Sequence, residues 1–129
     1  MHKHVRSWYL LILGWGLVLN QLAQAQVSQH ITQLNHKEAA VRLFGAYALG
    51  LRGDEKAVQP LLQLLTDSDS NVRLATIDAL GEIGSEKALA KLAPLLSHSE
   101  AKVRARTADA VVKIVPTAES VKYQITRYE

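Results

Sequence analysis

Two short segments of the chain, His36-Lys37-Glu38 and His98-Ser99-Glu100, place a histidine and a glutamate one residue apart. Two further carboxylates, Asp67 and Asp69, lie between these segments in the sequence. Imidazole nitrogens and carboxylate oxygens are ligands that iron and zinc bind in proteins. The first chemistry to consider is therefore a metal site, and it requires that the fold bring these segments together.

Other catalytic arrangements have little support in the sequence. The chain contains no cysteine, so a thiol nucleophile, a disulfide and a thiolate metal ligand are excluded. Several serines lie in the polar segments 66–70 and 97–100, where serine is typical of helix caps. No glycine is followed by the lysine of a phosphate-binding loop. We expect a protein that is not an enzyme and that has no cofactor.

The elements that must position these residues are copies of one unit. When the sequence is shifted by 31 residues, Val41-Arg42 falls on Val72-Arg73 and then on Val103-Arg104. Self-similarity at a fixed period of this length indicates a stack of structural repeats. The three copies occupy approximately residues 26–53, 54–84 and 85–115.

Each unit has the apolar spacing of two short helices. Apolar or small residues recur every three or four positions in both halves of the unit, as at Val72, Thr76, Ala79 and Ile83. Glycines near the end of the second helix are interpreted as helix stops, because glycine adopts positive φ at little cost; they are Gly50, Gly53, Gly81 and Gly84. The predicted fold is all-α, an α-solenoid of about three helix pairs with a closing helix at residues 117–128.

The motif Val72-Arg73, followed by Ala79-Leu80-Gly81-Glu82-Ile83-Gly84 and preceded by Asp67-Ser68-Asp69, resembles the HEAT-like repeats first described in phycobilisome lyases. The resemblance covers residues 27–115 and implies a HEAT-like superhelix. It leaves the function open, because that family includes chromophore lyases, adaptors and scaffolds, and a shared fold does not transfer chemistry.

The resemblance also implies a role for the loop residues. In such repeats a loop aspartate and the arginine six positions later typically join neighbouring repeats through hydrogen bonds. Here this structural ladder maps onto Asp67 and Arg73, with Arg42 and Arg104 as the other arginines. The other two loops carry histidine at the aspartate position, and a neutral imidazole accepts a hydrogen bond from arginine without supplying opposite charge.

A stack of this kind separates the two His-Glu segments by two repeats. Neighbouring helices lie about 8–10 Å apart, whereas metal ligands converge within about 2–2.6 Å of the ion. Some helical-repeat hydroxylases hold two irons with His-Glu pairs, but those residues are adjacent in sequence. We therefore interpret the two His-Glu segments as helix caps and exposed turns. A metal-dependent hydroxylase is a third hypothesis for the function, less favoured than a protein-binding scaffold or a chromophore lyase-like protein.

The three copies differ at the outward positions of the second helix. Repeat one carries four large apolar side chains there, whereas the equivalent positions of the later repeats are mostly small or charged. In such stacks the second helices usually line the concave surface, and an exposed apolar patch often marks a partner site. The predicted partner-binding residues are Leu43, Phe44, Tyr47, Leu51, Leu74, Asp78, Arg106 and Asp109. The alternative is that residues 26–34 or a neighbouring subunit cover the apolar patch, or that the shortened first helix pair packs differently.

The first 25 residues have the pattern of a secretory signal peptide. Lys3 and Arg6 precede an apolar run from Trp8 to Leu19, and Ala23-Gln24-Ala25 fits an A-x-A cleavage site. The run is shorter than the roughly 20 residues that a membrane-spanning helix needs. We expect cleavage after Ala25 and an exported protein, periplasmic or secreted, with no membrane span after cleavage. The alternative is an uncleaved anchor.

The charge balance disfavours a nucleic-acid partner. The whole chain has 15 basic and 12 acidic side chains, and two of the basic ones lie in the predicted signal peptide. The remaining charges alternate along the sequence, whereas nucleic-acid binding requires a basic patch.

The leading hypothesis is that residues 26–129 form a HEAT-like repeat domain that acts as a protein–protein interaction scaffold or adaptor and is non-catalytic. The alternative is a chromophore lyase-like enzyme or chaperone of the phycobilisome lyase family. The expected partner is a protein, and a homodimer is compatible with a stack of only three repeats.

Overall fold

The computed structural model describes residues 2–115, with side chains from residue 5 onward. All regular elements in this range are helical. The six α-helices are α1 (His2–Gln33), α2 (Ala39–Arg52), α3 (Val58–Gln63), α4 (Ser70–Ile83), α5 (Leu89–Leu92) and α6 (Ala101–Ile114). Short 3-10 turns flank α3 and α5, at Glu55–Ala57, Leu64–Thr66, Glu86–Ala88 and Ala93–Ser97. The closing helix expected at 117–128 lies outside the described residues.

The helices form three pairs in two layers. Helix α2 packs against α4 and α4 against α6, while α1, α3 and α5 each pack against the second helix of their own pair. Between the layers lies one continuous core, whose fully buried side chains include Leu49, Leu61, Ile77, Leu80 and Leu92. Burial of each such side chain contributes about 1.5–3 kcal/mol. The predicted all-α solenoid is confirmed.

Two of the three repeat valines, Val72 and Val103, lie at equivalent places in this core. Val72 is fully buried and Val103 is 4% exposed, whereas Val41 is half-buried. Each follows the loop that enters a second helix, and the side chains of Val72 and Val103 belong to the core between the layers. The period read from the sequence therefore corresponds to one structural unit.

The four glycines of the repeats have two different roles. Gly53 and Gly84 end α2 and α4 with φ of 64° and 72°. In contrast, Gly50 and Gly81 lie inside the helices, where an added Cβ would be 2.8 Å from the Cα of Ala79 or Ala110. Interpreting Gly50 and Gly81 as helix stops was therefore wrong. They permit close approach of successive second helices.

The third repeat lacks this glycine. Val112 stands where Gly50 and Gly81 stand in the first two repeats, and its side chain is half-buried. Among the described residues, close glycine–alanine contacts therefore join α2 to α4 and α4 to α6, and α6 presents a branched side chain on its other face.

The prolines lie where the first helices are short. Pro60 is the third residue of α3, within the first turn, where the missing N–H has no helical partner to lose. Pro94 lies near the start of the 3-10 turn that follows α5. The chain changes from α-helical to 3-10 geometry beside this proline.

The N-terminal helix is continuous through the predicted cleavage site. Its large apolar side chains from Val5 to Leu22 are exposed, whereas Val27 and Leu34 are buried against the repeats and Ile31 packs beside them. The segment Val5–Gln33 is long and apolar enough to cross a membrane, by length and composition alone. A signal sequence meets the same criteria, so both sequence-based alternatives are compatible with this helix.

Candidate protein-binding groove

A groove of about 750 Å³ runs across the second-helix layer. Its walls come from three successive helices, α2, α4 and α6, because side chains that point away from the core on each helix share one surface. The lining residues are Tyr47, Gly50, Leu51, Ala75, Asp78, Ala79, Glu82, Arg106, Asp109 and Lys113. The floor is built from the small residues at which the helices approach each other.

Two ion pairs join α4 to α6 along this groove. Arg106 donates a hydrogen bond to the Asp78 carboxylate, and Lys113 donates one to Glu82. Asp109 lies on the same wall. The side chains of both pairs are partly exposed, so water screens these contacts and a partner can reach them.

Asp78 has an altered acidity in this setting. Partial burial raises the pKa of its carboxyl group, and repulsion from Asp109 acts in the same direction. The positive charges of Arg106 and Lys113 oppose this shift. The ionised form of Asp78 therefore pays a desolvation cost that the ion pair only partly offsets.

The opposite end of the groove is apolar. Phe44, Tyr47 and Leu51 on α2 are 54%, 59% and 69% exposed, although they belong to a folded helix in contact with its neighbours. The ring of His30 contacts the ring of Phe44 edge-on, with centroids 5.9 Å apart. Residues 26–34 therefore touch this patch without covering it.

The structure brings most of the predicted site residues together. Tyr47, Leu51, Asp78, Arg106 and Asp109 line the groove, and Phe44 lies about one helical turn before Tyr47 on the same helix. The remaining two, Leu43 and Leu74, are half-buried and pack against the core.

Several groove residues were not among the predicted ones. Glu82 and Lys113 form an ion pair across the groove, and their separation of one repeat was the signal that could have paired them. Gly50, Ala75 and Ala79 form part of the floor. These residues contribute through their small size, and small residues in a helix are usually interpreted as core packing.

The loop edge of the stack carries the predicted ladder residues. Arg42 makes two hydrogen bonds to the Asp67 carboxylate, with Nε–Oδ2 and Nη2–Oδ1 distances of 2.7 and 2.8 Å. Its Nη1 also donates to the carbonyl oxygens of His36 and Lys37. The Arg42 and Asp67 side chains are 14% and 9% exposed. This contact joins repeat one to repeat two.

The other two arginines keep only part of this arrangement. Arg73 and Arg104 each donate to the two loop carbonyl oxygens that lie five and six residues before them. Between repeats, the one acidic partner of Arg73 within residues 5–115 is Glu100, at an Nη2–Oε1 distance of 3.8 Å. The ladder is therefore strong between the first two repeats and weak between the second and the third.

The loop histidines accept hydrogen bonds from the backbone, and none from an arginine among the described residues. The Nδ1 atoms of His36 and His98 each accept from the amide two residues later, at 3.1 Å. Asp67 makes the same local contact to the Asp69 amide at 2.9 Å. An imidazole therefore makes the same hydrogen bond within the turn as the aspartate, but it does not make the aspartate's contact with an arginine of the preceding repeat.

Pairing with Arg42 changes the acidity of Asp67. The hydrogen bonds from the guanidinium group lower the pKa of the Asp67 carboxyl, while burial opposes the shift. The same contact raises the pKa of Arg42. Both groups thus favour their charged forms in the folded protein.

Metal-binding chemistry gains no geometric support. Within the described part of the chain, no three histidine, aspartate or glutamate side chains are grouped so that they could hold an ion. The two His-Glu segments belong to different loops of the stack, and their histidine Nδ1 atoms are engaged with backbone amides.

Together, the fold and the groove define a class of protein, stacked α-helical repeats whose second helices form one continuous surface. The sequence matches the family described as HEAT repeats over residues 27–112. The chain belongs to the HEAT-repeat family. Such repeats generally mediate protein–protein interaction through their extended surfaces. No curated protein sequence matches the chain.

Proposed function

We propose that this protein is an exported, non-catalytic adaptor that binds a partner protein in the groove of the second-helix layer. The observation that carries the proposal is the exposure of Phe44, Tyr47 and Leu51 beside a line of charged side chains. When a folded protein exposes neighbouring large apolar side chains, they often form a binding site, and aromatic residues often contribute most of the binding energy of an interface.

The two ends of the groove specify the chemistry of the partner. Apolar side chains of the partner would bury Phe44, Tyr47 and Leu51, while polar groups would meet the charged wall of α4 and α6. Three helices at spacings of about 8–10 Å span roughly 20 Å. An amphipathic helix of about 13 residues has that length, at a rise of 1.5 Å per residue.

Export is supported by the N-terminal segment. Lys3 and Arg6 precede the apolar run, and Ala23-Gln24-Ala25 follows it. The large apolar side chains from Val5, where the description of side chains begins, to Leu22 are exposed and lie outside the core of the repeats. Their removal would therefore leave the groove and the three helix pairs in place.

The proposal is tested by comparing partner capture by variants of the full chain in its native cell. Phe44→Ala with Tyr47→Ala is expected to reduce crosslinking to the partner by at least about tenfold, because each of two hot-spot residues contributes on the order of 2 kcal/mol. Leu96→Ala is the matched control, since Leu96 is 42% exposed but lies in the first-helix layer.

Helical circular dichroism is measured for both variants, so that loss of folding is separated from loss of binding. Equal capture by the groove variant and the control, with intact helical spectra, would exclude this groove as the binding site.

The second candidate is a chromophore lyase-like enzyme or chaperone. It rests on the likeness of Val72-Arg73 and Ala79-Leu80-Gly81 to the repeats of phycobilisome lyases, and on a groove of about 750 Å³, a volume in the range of small-molecule sites. A coloured ligand that co-purifies with the protein would favour this candidate over the adaptor.

A further inference from the structure

The residue that follows the predicted cleavage site occupies an unusual position. Cleavage after Ala25 makes Gln26 the first residue, and the next residue, Val27, is only 5% exposed. Gln26 itself is exposed. The new amino terminus would therefore be held against the repeats by Val27, while the Gln26 side chain lies at the surface.

Two basic side chains face this terminus. Arg52, in the last turn of α2, donates a hydrogen bond to the Gln26 side-chain oxygen. Lys56 donates one to the side-chain oxygen of Gln24, with an Nζ–Oε1 distance of 2.6 Å. Cleavage would remove Gln24 and create an α-ammonium group at Gln26, beside the guanidinium group of Arg52 and two residues from the position that Lys56 contacts.

The helix that remains also disfavours a positive terminus. Cleavage shortens α1 to the eight residues from Gln26 to Gln33, and the N-terminal end of a helix carries a partial positive charge. An α-ammonium group there is repelled by the helix dipole as well as by Arg52 and Lys56. A short helix has little cooperativity with which to resist such a cost.

From this geometry we propose that Gln26 cyclises after cleavage and that the mature protein begins with pyroglutamate; the inference rests on the export proposed above. The α-amino nitrogen attacks the side-chain carboxamide carbon, the bond from that carbon to Nε2 breaks, and ammonia leaves. No oxidant, reductant or co-reactant is needed. The product is a neutral five-membered lactam.

The lactam suits the surroundings of Gln26 in two respects. It removes the positive charge of the α-ammonium group, and it keeps a carbonyl oxygen, the type of acceptor that Arg52 binds in the uncleaved chain. Its ring is similar to that of proline, which the first turn of a helix accommodates. Val27 keeps its place in the core.

The test is the intact mass of the protein recovered from the exported fraction, after expression of the full chain with its own N-terminal segment. The expected mass is that of residues 26–129 reduced by about 17 Da, the mass of ammonia. N-terminal sequencing is expected to be blocked until pyroglutamyl peptidase is added.

Two results would overturn the proposal, and they differ in meaning. The unreduced mass of residues 26–129 would show that cleavage occurs without cyclisation, which leaves export intact. The mass of the uncleaved chain would refute cleavage as well.

A variant tests the electrostatic reason. Gln26→Ala cannot cyclise, so its mature form keeps the α-ammonium group and is expected to melt about 2–5 °C below the wild type. Gln29→Ala is the control, since Gln29 is exposed on the same helix. Equal melting temperatures for all three proteins would contradict the role given to charge at this terminus.

Discussion

At the scale of residues, the loop arginines combine two functions that have different sequence requirements. Each of Arg42, Arg73 and Arg104 binds carbonyl oxygens of its own loop, and this needs only an arginine six residues after the loop begins. Joining two repeats needs an acidic residue in the next loop as well, and Asp67 supplies it for Arg42. Arginines at equivalent positions of the repeat motif therefore make unequal contacts between repeats.

This inequality predicts that equivalent arginines differ in their effect on stability. Arg42→Gln is expected to lower the melting temperature more than Arg104→Gln, because both lose the loop contacts but only Arg42 loses a well-ordered carboxylate partner. Thermal unfolding followed by circular dichroism makes the comparison. A similar decrease in both variants would mean that the contact to Asp67 adds little.

The two perturbed aspartates predict opposite dependences on pH. Asp67 has a lowered pKa in the folded protein, so its stabilising contribution is present above about pH 4 and is lost as the pH falls through the folded-state pKa. Asp67→Asn should therefore lower the melting temperature near pH 7, and the difference from wild type should shrink in acid.

Asp78 has a raised pKa, so the folded state holds its proton more tightly, and stability falls as the pH rises from about 4 through the folded-state pKa. Asp78→Asn should therefore raise the melting temperature near pH 7, and this gain should disappear below about pH 4. A decrease near neutral pH would show that the pairing with Arg106 outweighs the cost of burial.

At the scale of elements, close helix packing depends on single glycines. A Cβ at Gly81 would lie 2.8 Å from the Cα of Ala110. Because that neighbour is backbone, it cannot rotate away, and the two helices would have to separate. Gly50 stands in the same relation to Ala79.

Enlarging Gly81 is therefore expected to be costly. Gly81→Val should destabilise the protein by about 3 kcal/mol, the upper part of the range for overpacked cores. Ala108→Val is the control, because Ala108 is exposed on α6 and the change costs less than about 1 kcal/mol of helix propensity. Urea unfolding measures both. Equal costs would show that α4 and α6 can separate freely.

The sequence was sufficient to predict the helices but not the contacts between them. The period of 31 residues and the helical apolar spacing led to three helix pairs, which the structure confirms. The roles of Gly50 and Gly81 were misassigned, because helix-ending and helix-packing glycines look alike until the neighbouring helix is in place. The ion pair of Glu82 and Lys113 likewise depends on the distance between helices.

At the scale of the whole molecule, the N-terminal helix divides into a part outside the core and a part within it. The large apolar side chains from Val5 to Leu22 are exposed, whereas Val27 and Leu34 are 5% and 2% exposed. Residues 26–129 are therefore expected to unfold cooperatively on their own. A shorter chain of residues 35–129 should be less stable by about 3–6 kcal/mol, since two buried side chains are lost at about 1.5–3 kcal/mol each.

Denaturant unfolding of the two truncated chains measures this difference. Equal midpoints would mean that residues 26–34 do not belong to the folding unit, and the repeat count would fall to two complete pairs plus α2.

The valine at position 112 has a consequence for engineering longer versions of this protein. A duplicate of residues 54–84 inserted after Gly84 would pack against Gly81 on one side and Ala110 on the other. These are the two residues that contact each other between α4 and α6 in the present protein. A duplicate appended after Val115 would instead meet the branched side chain of Val112. A repeat inserted in the middle of the stack should therefore pack without further changes. A repeat added at the carboxyl-terminal side should pack only if Val112→Gly is made first.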